Sequence, residues 1–378
     1  MADEVVILGG GVGGTIVANL IAKESNGRAH VTVVDSSGIH VYQPGFLYVA
    51  VGLENPAALH RPESRLLRRD VNLVIDRATR VDPAEHTVFM EWGRPLRYDQ
   101  LVLATGSRTM LQEVPGGQEA HDFYTMEGAK RLFKALRSFQ RGTIVIGVAG
   151  IPYKCPPAPV EFAFLLDDYL RSRGIRGHTQ IKLLSPLNRA FTIEATSKLV
   201  QPILAERDIE LTGFFNVESV DTVAQTVTSL EGETVGYDLL VLVPPHRGQQ
   251  VIEDSGLGDD RGWVPVDKNT LKHTRFEHIW AIGDTTDIPI SKSGSVAHYE
   301  ATVAAAEIVA TVKGEEPPAH VYDGKVMCFL ETGQGKATTI QFDYDHPPVS
   351  PTPARRWHWA KALFNKTYWH TVPQGRLP

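Results

Sequence analysis

The apolar and polar positions of this chain switch repeatedly between short continuous apolar runs and helical spacing, and the switches mark out its strands and helices. Val5, Val6, Ile7 and Leu8 form one apolar run, the glycines Gly9-Gly10-Gly11-Val12-Gly13-Gly14 follow, and helical spacing begins at Thr15. A second buried run, Val31 to Asp35, ends in a carboxylate. Residues 71 to 102 alternate in the manner of an antiparallel excursion, with strands expected at Val71 to Ile75 and Thr87 to Trp92 and a last one from Gln100 to Ala104. Helical periodicity runs from His121 to Arg137, a strand from Thr143 to Gly147, a helix from about Pro159 to Arg171 and a strand from Ile181 to Ser185. Residues 203 to 243 read as further strands, closing with Tyr237 to Val243. His278 to Ile282 is another apolar strand, which runs into Gly283-Asp284 and is followed by an alanine-rich helix over Ala297 to Val312. A tail begins near Pro317 and contains the strand-like stretch Lys325 to Gly333.

Strand, glycine turn, helix and second strand with an acidic end, about 20 residues past the last motif glycine, form the pattern of a dinucleotide-binding unit. Gly9 permits the tight turn and Gly11 lets backbone approach a pyrophosphate. Gly13 belongs to the same run, and Gly14 lets helix and strand pack closely. Asp35 is placed for a ribose. Thr105 and Gly106, small residues after the strand at 100 to 104, suit a close backbone approach to the same ligand. Asp284, beside Gly283 at a strand's carboxyl end, can reach the ribityl or pyrophosphate part of a flavin dinucleotide. Lys292 precedes a helix that should aim its N-terminus at the isoalloxazine; the other reading is a solvated loop lysine. The loop from His40 to Tyr48 either covers that cofactor or is a surface loop with buried aromatics.

A second strand and turn begin at Thr143, but the turn reads Gly147-Val-Ala-Gly150-Ile-Pro-Tyr-Lys-Cys-Pro-Pro. A proline-rich corner cannot offer the row of backbone N–H groups a second pyrophosphate needs. The next strand also lacks a ribose acid, so NAD(P)H is not the expected reductant. Cys155 occupies the turn, just before a helix start and next to Lys154, and both neighbours favour thiolate. A buried structural cysteine is the alternative. Glu161, in the first turns of that helix, is either a proton relay or a solvated carboxylate.

The 378 residues are 42% hydrophobic and 22% charged, a globular composition with room for two domains. The formal net charge of -6 argues against nucleic acid as the main partner. No apolar run reaches the roughly 18 residues of a membrane-spanning helix. The start Met-Ala-Asp-Glu leads straight into a strand, so no signal peptide is expected and the cytoplasmic side is the expected location. Two cysteines do not make a secreted disulfide framework. Beyond Asp345 there is no acidic residue, while Arg355, Arg356, Lys361, Lys366 and Arg376 are interleaved with Trp357, Trp359, Leu363, Phe364, Tyr368 and Trp369. Such a tail suits a membrane interface; the other reading is a terminal helix docked on its own core.

With Cys155 in Pro-Tyr-Lys-Cys-Pro-Pro-Ala-Pro-Val-Glu-Phe, Cys328 in Val-Met-Cys-Phe-Leu-Glu-Thr-Gly and Trp-His-Trp-Ala-Lys-Ala-Leu-Phe in the tail, the chain resembles the sulfide:quinone oxidoreductases and the flavoprotein subunit of flavocytochrome c sulfide dehydrogenase. These are flavoproteins of the glutathione reductase type, with two dinucleotide-binding domains. The resemblance covers essentially the whole chain. It implies an α/β fold with two Rossmann-like domains: residues 1–107 and 245–315 binding FAD, 108–244 forming a second unit without a nucleotide glycine motif, and 316–378 forming a C-terminal segment with an amphipathic, membrane-associating tail.

The resemblance further implies that Cys155 and Cys328 meet at the flavin face opposite the quinone and cycle through a disulfide or persulfide. Cys155 takes the flavin-adduct role, Cys328 carries sulfur, and Glu161 accepts a proton. Phe329, Lys361 and Phe364 match positions near the quinone pocket. The family's upstream third cysteine is missing, so FAD is expected to be non-covalent. No metal is expected. The implied activity is oxidation of sulfide or a related small sulfur species, with a membrane quinone as acceptor and peripheral membrane attachment; a homo-oligomer is compatible with it. The alternatives are a sulfide dehydrogenase subunit serving a haem partner, a type II NADH:quinone reductase, and a flavin-binding redox sensor with inert cysteines.

Overall fold

The computed structural model describes residues 2–316 and 318–376; Pro317, where the tail was expected to begin, lies outside them. A five-stranded parallel sheet runs in the order Ile279–Ala281, Gln100–Leu103, Asp3–Leu8, Ala29–Asp35, Val71–Ile75. Its central strand carries Val5 to Leu8, all buried, because a parallel sheet covered on both faces needs an unbroken apolar run. The helix Val12–Glu24 packs against the long helix Gly294–Lys313 over this sheet.

Val71–Ile75 corrects the expected antiparallel excursion. It is the parallel edge of the main sheet, and the antiparallel piece is confined to Ala78–Asp82, Thr87–Met90 and Leu96–Arg97. An edge strand with one flank in water shows the same alternation as an antiparallel strand. The segment from His40 to Tyr48 is likewise more regular than a loop. Ile39–Val41 pairs with His60–Pro62, and Phe46–Ala50 is a short helix.

The second parallel sheet has the order Ile209–Thr212, Thr179–Leu184, Gly142–Val148, Leu239–Val243. Helix Ala158–Ser172 connects its third strand in this order to its second, the crossover that a parallel pair needs. The helix expected from His121 starts only at Met126. The Asp122 carboxylate accepts the Tyr124 and Thr125 N–H groups, closing a turn, and the Thr125 hydroxyl then caps the helix at the Gly128 N–H. Residues 203 to 206, read as strand, finish the helix Glu194–Glu206, whose Pro202 interrupts the sequence pattern.

Val326–Gly333 and Lys336–Phe342 form an antiparallel hairpin. Gln334 and Gly335 both have positive φ, 54° and 65°, the conformation that a two-residue turn between twisted strands demands. The C-terminal helix Arg355–Thr371 lies along this hairpin. Among the described residues no helix is long and apolar enough to cross a membrane.

Candidate functional site

The glycine turn is built for a ligand that approaches backbone closely. Gly9 has φ +105°, and a Cβ there would sit 2.4 Å from the Ala104 carbonyl oxygen; at Gly14 it would sit 1.9 Å from the Gly9 carbonyl oxygen. A Cβ on Gly13 would strike Ile282, whereas beside Gly11 there is open space. Helix Val12–Glu24 starts at Gly11 with no side-chain cap, leaving its first N–H groups and the positive end of its dipole for a pyrophosphate. This cradle fits a dinucleotide.

Asp35 shapes the same turn. Its Oδ2 accepts the Gly10 N–H at 2.9 Å and its Oδ1 the Ser37 and Gly38 N–H groups at 2.9 and 2.8 Å. Burial opposes its ionisation, but these hydrogen bonds outweigh burial and hold the carboxyl below its ordinary range. A ribose would share an acceptor already engaged with the phosphate turn. Across the cleft the Thr105 and Thr285 hydroxyls pair at 3.1 Å, and Gly106 faces open space. The Gly283 N–H is taken by the buried Glu300 carboxylate. Asp284 is pushed up by burial, against the pull of Lys154 and Lys292. Lys292 is buried, not solvated: its ammonium donates to the carbonyls of Asp284 at 3.1 Å and Thr286 at 2.7 Å and lies 4.0 Å from the Trp263 ring centre. It braces the 283–286 turn, and burial lowers its pKa.

Both cysteines come to the start of helix Gly294–Lys313. The Cys155 N–H donates to the Lys292 carbonyl at 2.7 Å, and the Cys328 Sγ lies 3.8 Å from the Ser295 hydroxyl, three residues further on. That turn also abuts the glycine cradle, since a Cβ on Gly13 would be 3.6 Å from the Ala297 carbonyl oxygen. Both thiols are free. Cys155 holds a left-handed backbone, φ +54°, which non-glycine residues rarely adopt and which collects at functional sites. The expectation of a ready thiolate is corrected. Burial, then the neighbouring Cys328, push the Cys155 thiol well up. The Cys155 carbonyl rather than its sulfur meets the helix start, accepting the Ala158 N–H at 2.8 Å, and the Lys154 ammonium reaches away to Gln43. Burial raises Cys328 as well, with hydrogen bonds from Ser295 and Ser293 opposing it.

Successive residues of a strand point to opposite faces, so Val326–Gly333 separates two environments. Cys328 faces Ser295, while Phe329 and Glu331 face the C-terminal helix. The Phe329 and Phe364 ring centres are 6.3 Å apart and tilted by 44°. Glu331 accepts the Tyr48 hydroxyl at 3.2 Å and pairs with His358 Nδ1 at 3.0 Å. Beside them the Lys361 ammonium is ion-paired with Glu161, both side chains buried, and lies 5.4 Å from the Tyr48 ring centre. Glu161 is therefore no solvated helix carboxylate. Burial pushes its carboxyl up, with Lys361 opposing. Burial also works against the Lys361 charge, but Glu161, Tyr48 and Glu331 overcome it and hold that ammonium well above its ordinary value.

Residues 3–307 match the family model described as pyridine nucleotide-disulphide oxidoreductase. The chain belongs to this family. It is an oxidoreductase of flavoprotein type, and it is similar to proteins named sulfide:quinone oxidoreductase along nearly its whole length. The mitochondrial one of Mus musculus is 28% identical over 93% of this chain and 80% of its own. That of Dictyostelium discoideum is 27% identical over 99% and 86%. The crystal structure of the sulfide:quinone oxidoreductase from the hyperthermophilic bacterium Aquifex aeolicus shares the fold, with a TM-score of 0.90, 24% identity and coverage of 100% of this chain and 93% of that one.

Within this family fold the structure gathers groups that no sequence motif announced. The Thr15 hydroxyl donates to Glu63 at 2.6 Å, Glu63 meets His40 Nδ1 at 3.1 Å, and His40 Nε2 meets the Tyr368 hydroxyl at 2.8 Å. All four side chains are buried, so a polar chain links the cradle helix to the C-terminal helix. Glu300, pushed up to about 8 chiefly by burial, and the pair Tyr124 and His246 were also missed. Each acquires its surroundings from residues distant in the sequence, which no local pattern announces.

Proposed function

We propose that this flavoenzyme oxidises sulfide, or a related small sulfur species, and passes the electrons through non-covalently bound FAD to a membrane quinone. The observation that carries this reading is the meeting of Cys155 and Cys328 on one turn, 292–295, beside the glycine cradle. Bound FAD supplies a two-electron acceptor there. The chain's residues hold and separate the reactants. Gly9, Gly11, Gly13, Gly14 and Asp35 take the pyrophosphate and ribose, and Thr105, Gly106, Gly283, Asp284 and Lys292 line the rest of the cofactor cleft. Cys155 and Cys328 handle sulfur on one face of the strand 326–333. Phe329 and Phe364 offer aromatic surface to a quinone on the other, where the Lys361–Glu161 pair can move a proton. Residues 1–107 and 245–315 form the FAD unit, 108–244 the second unit, and 316–378 the tail that attaches to the membrane surface.

The blocked second turn supports a reductant other than NAD(P)H. Anaerobic mixing with sulfide should bleach the flavin, and Cys155→Ser should abolish the bleaching. Rapid bleaching by NADH with none by sulfide would overturn the assignment. Deleting residues 354–378 should remove liposome binding and decylquinone reduction while leaving bleaching by sulfide intact; unchanged decylquinone reduction would favour a soluble haem-protein acceptor instead.

A further inference from the structure

Two buried polar atoms near Cys155 have no partner. His246 Nδ1 lies 2.7 Å from the Pro244 carbonyl oxygen. A carbonyl only accepts, so Nδ1 carries the proton and Nε2 presents a bare lone pair. That Nε2 is buried and unpartnered, as is the Tyr124 hydroxyl. The two rings meet edge to face, 5.1 Å between centres, and both residues are buried. The turn carrying His246 abuts the cysteine loop, since a Cβ on Gly150 would be 3.2 Å from Pro245. The nearby Tyr153 is different, because its hydroxyl is satisfied by the Pro156 carbonyl at 3.0 Å.

A buried polar atom left without a partner costs about 1–3 kcal/mol, and folded proteins hold few of them unless a ligand or water completes the bond. Here one group can only accept and its neighbour can donate. We infer that Tyr124 and His246 bind a small sulfur species that carries its own proton, such as hydrosulfide, and present it to Cys155. The S–H donates to His246 Nε2, and a sulfur lone pair accepts the Tyr124 O–H. An oxyanion without a proton, such as sulfate, sets its own lone pairs against Nε2 and is excluded.

Charge supports the assignment. Burial, with Lys154 next, holds His246 down to about 3, so the imidazole remains an acceptor across the neutral range. Cys155 lies close enough to raise the Tyr124 phenol further, after burial and Tyr153.

The inference rests on sulfur oxidation at Cys155 and is tested separately from it. Anaerobic stopped-flow reduction of the FAD-loaded enzyme gives a half-saturating sulfide concentration and a limiting rate. Tyr124→Phe and His246→Leu should each raise the half-saturating concentration about tenfold, the loss of one hydrogen bond, with the limiting rate changed less than about twofold. His246→Gln, which restores an acceptor oxygen, should recover most of the loss. Tyr124→Phe should melt no lower than the parent. If the parent is bleached and the variants saturate like it, the assignment of Tyr124 and His246 is wrong and sulfide oxidation stands. Weaker FAD retention with unchanged sulfide saturation would assign the two groups to the cofactor and also overturn the inference. If sulfide does not bleach the parent, sulfide oxidation fails. Binding by the two groups is then read from the melting shift that sulfide produces in Cys155→Ser, which Tyr124→Phe should abolish and which sulfate should not mimic; no shift, or one retained in Tyr124→Phe, overturns the inference.

Discussion

The two parallel sheets of this protein each end in a turn that leads into a helix, and the two turns do opposite things. After Leu8 the backbone itself is left open: side chains are missing where they would collide, and the helix from Val12 begins with its N–H groups uncapped. After Val148 the space is filled. Gly150 is pressed against Pro245, Tyr153 is tied to the Pro156 carbonyl, and proline stands at the helix start, where it contributes no N–H. The kind of frame that suits phosphate in the first sheet carries a thiol, Cys155, in the second. What a strand–turn–helix unit binds is thus decided by what fills the turn, not by the unit.

The contrast breaks most sharply under added bulk. Gly14→Val forces carbons into the Gly9 carbonyl, so we expect purified protein without flavin absorbance and at least ~1–3 kcal/mol of lost stability from overpacking. Gly150→Ala meets Pro245 only at 3.2 Å and should keep its flavin, with a change within about 1 kcal/mol in chemical denaturation. If both variants retain FAD equally, the first turn is not the cofactor cradle. The second expected effect concerns the buried ion pair. Lys361→Met leaves the buried Glu161 without its partner, so that it must either hold an unpaired charge or take up a proton, a loss of up to about 3–5 kcal/mol for such groups. Glu161→Gln combined with Lys361→Met should recover much of that. A denaturation midpoint unmoved by Lys361→Met would show that the pair is not closed in solution.

These two cases also show which parts of the molecule could be read from the chain. The cradle was legible because its chemistry is local: six consecutive positions and one acidic strand end fix it. The Lys361–Glu161 contact joins residues 200 apart, and His40 meets Tyr368 across 328. No periodicity encodes such pairings, although the family resemblance had marked Glu161 and Lys361 separately. Val71–Ile75 was placed in the wrong kind of sheet because alternation reports exposure and not strand direction. His246 stayed hidden because Pro244-Pro245-His246 reads as a plain turn, and its meaning depends on Cys155 and Tyr124 across the fold.

The next expected effect is in acid. His246 is held down to about 3 when folded against about 6.5 when unfolded. The unfolded chain therefore binds the extra proton first, and the stability this group contributes is present above about pH 6.5 and is lost as pH falls toward 3. Asp35 is depressed below its ordinary 3.8, so its contribution persists until the pH falls below that value. Between these limits, the midpoint of chemical denaturation should fall with pH. His246→Leu should flatten that early acid limb. An unaltered limb in the variant would contradict the assignment.

The smallest effect on folding is expected in the tail, where the same helix has two unlike sides. Lys361 and Tyr368 are buried, so part of Arg355–Thr371 does dock on its own core, as one reading of the sequence had it. Trp359 and Leu363, one turn apart, are 68% and 63% exposed, and Arg355, Arg356 and Lys366 belong to the same helix. Exposed apolar side chains flanked by cations are what an anionic lipid surface binds. Trp359→Ala with Leu363→Ala removes mostly exposed surface and one edge-on ring contact with His358, so denaturation should shift by no more than about 0.5 kcal/mol, whereas sedimentation with anionic liposomes should fall severalfold and added salt should weaken what remains. A variant that sediments like its parent would leave the helix as packing alone, and the quinone would have to reach the Phe329–Phe364 pair by another face.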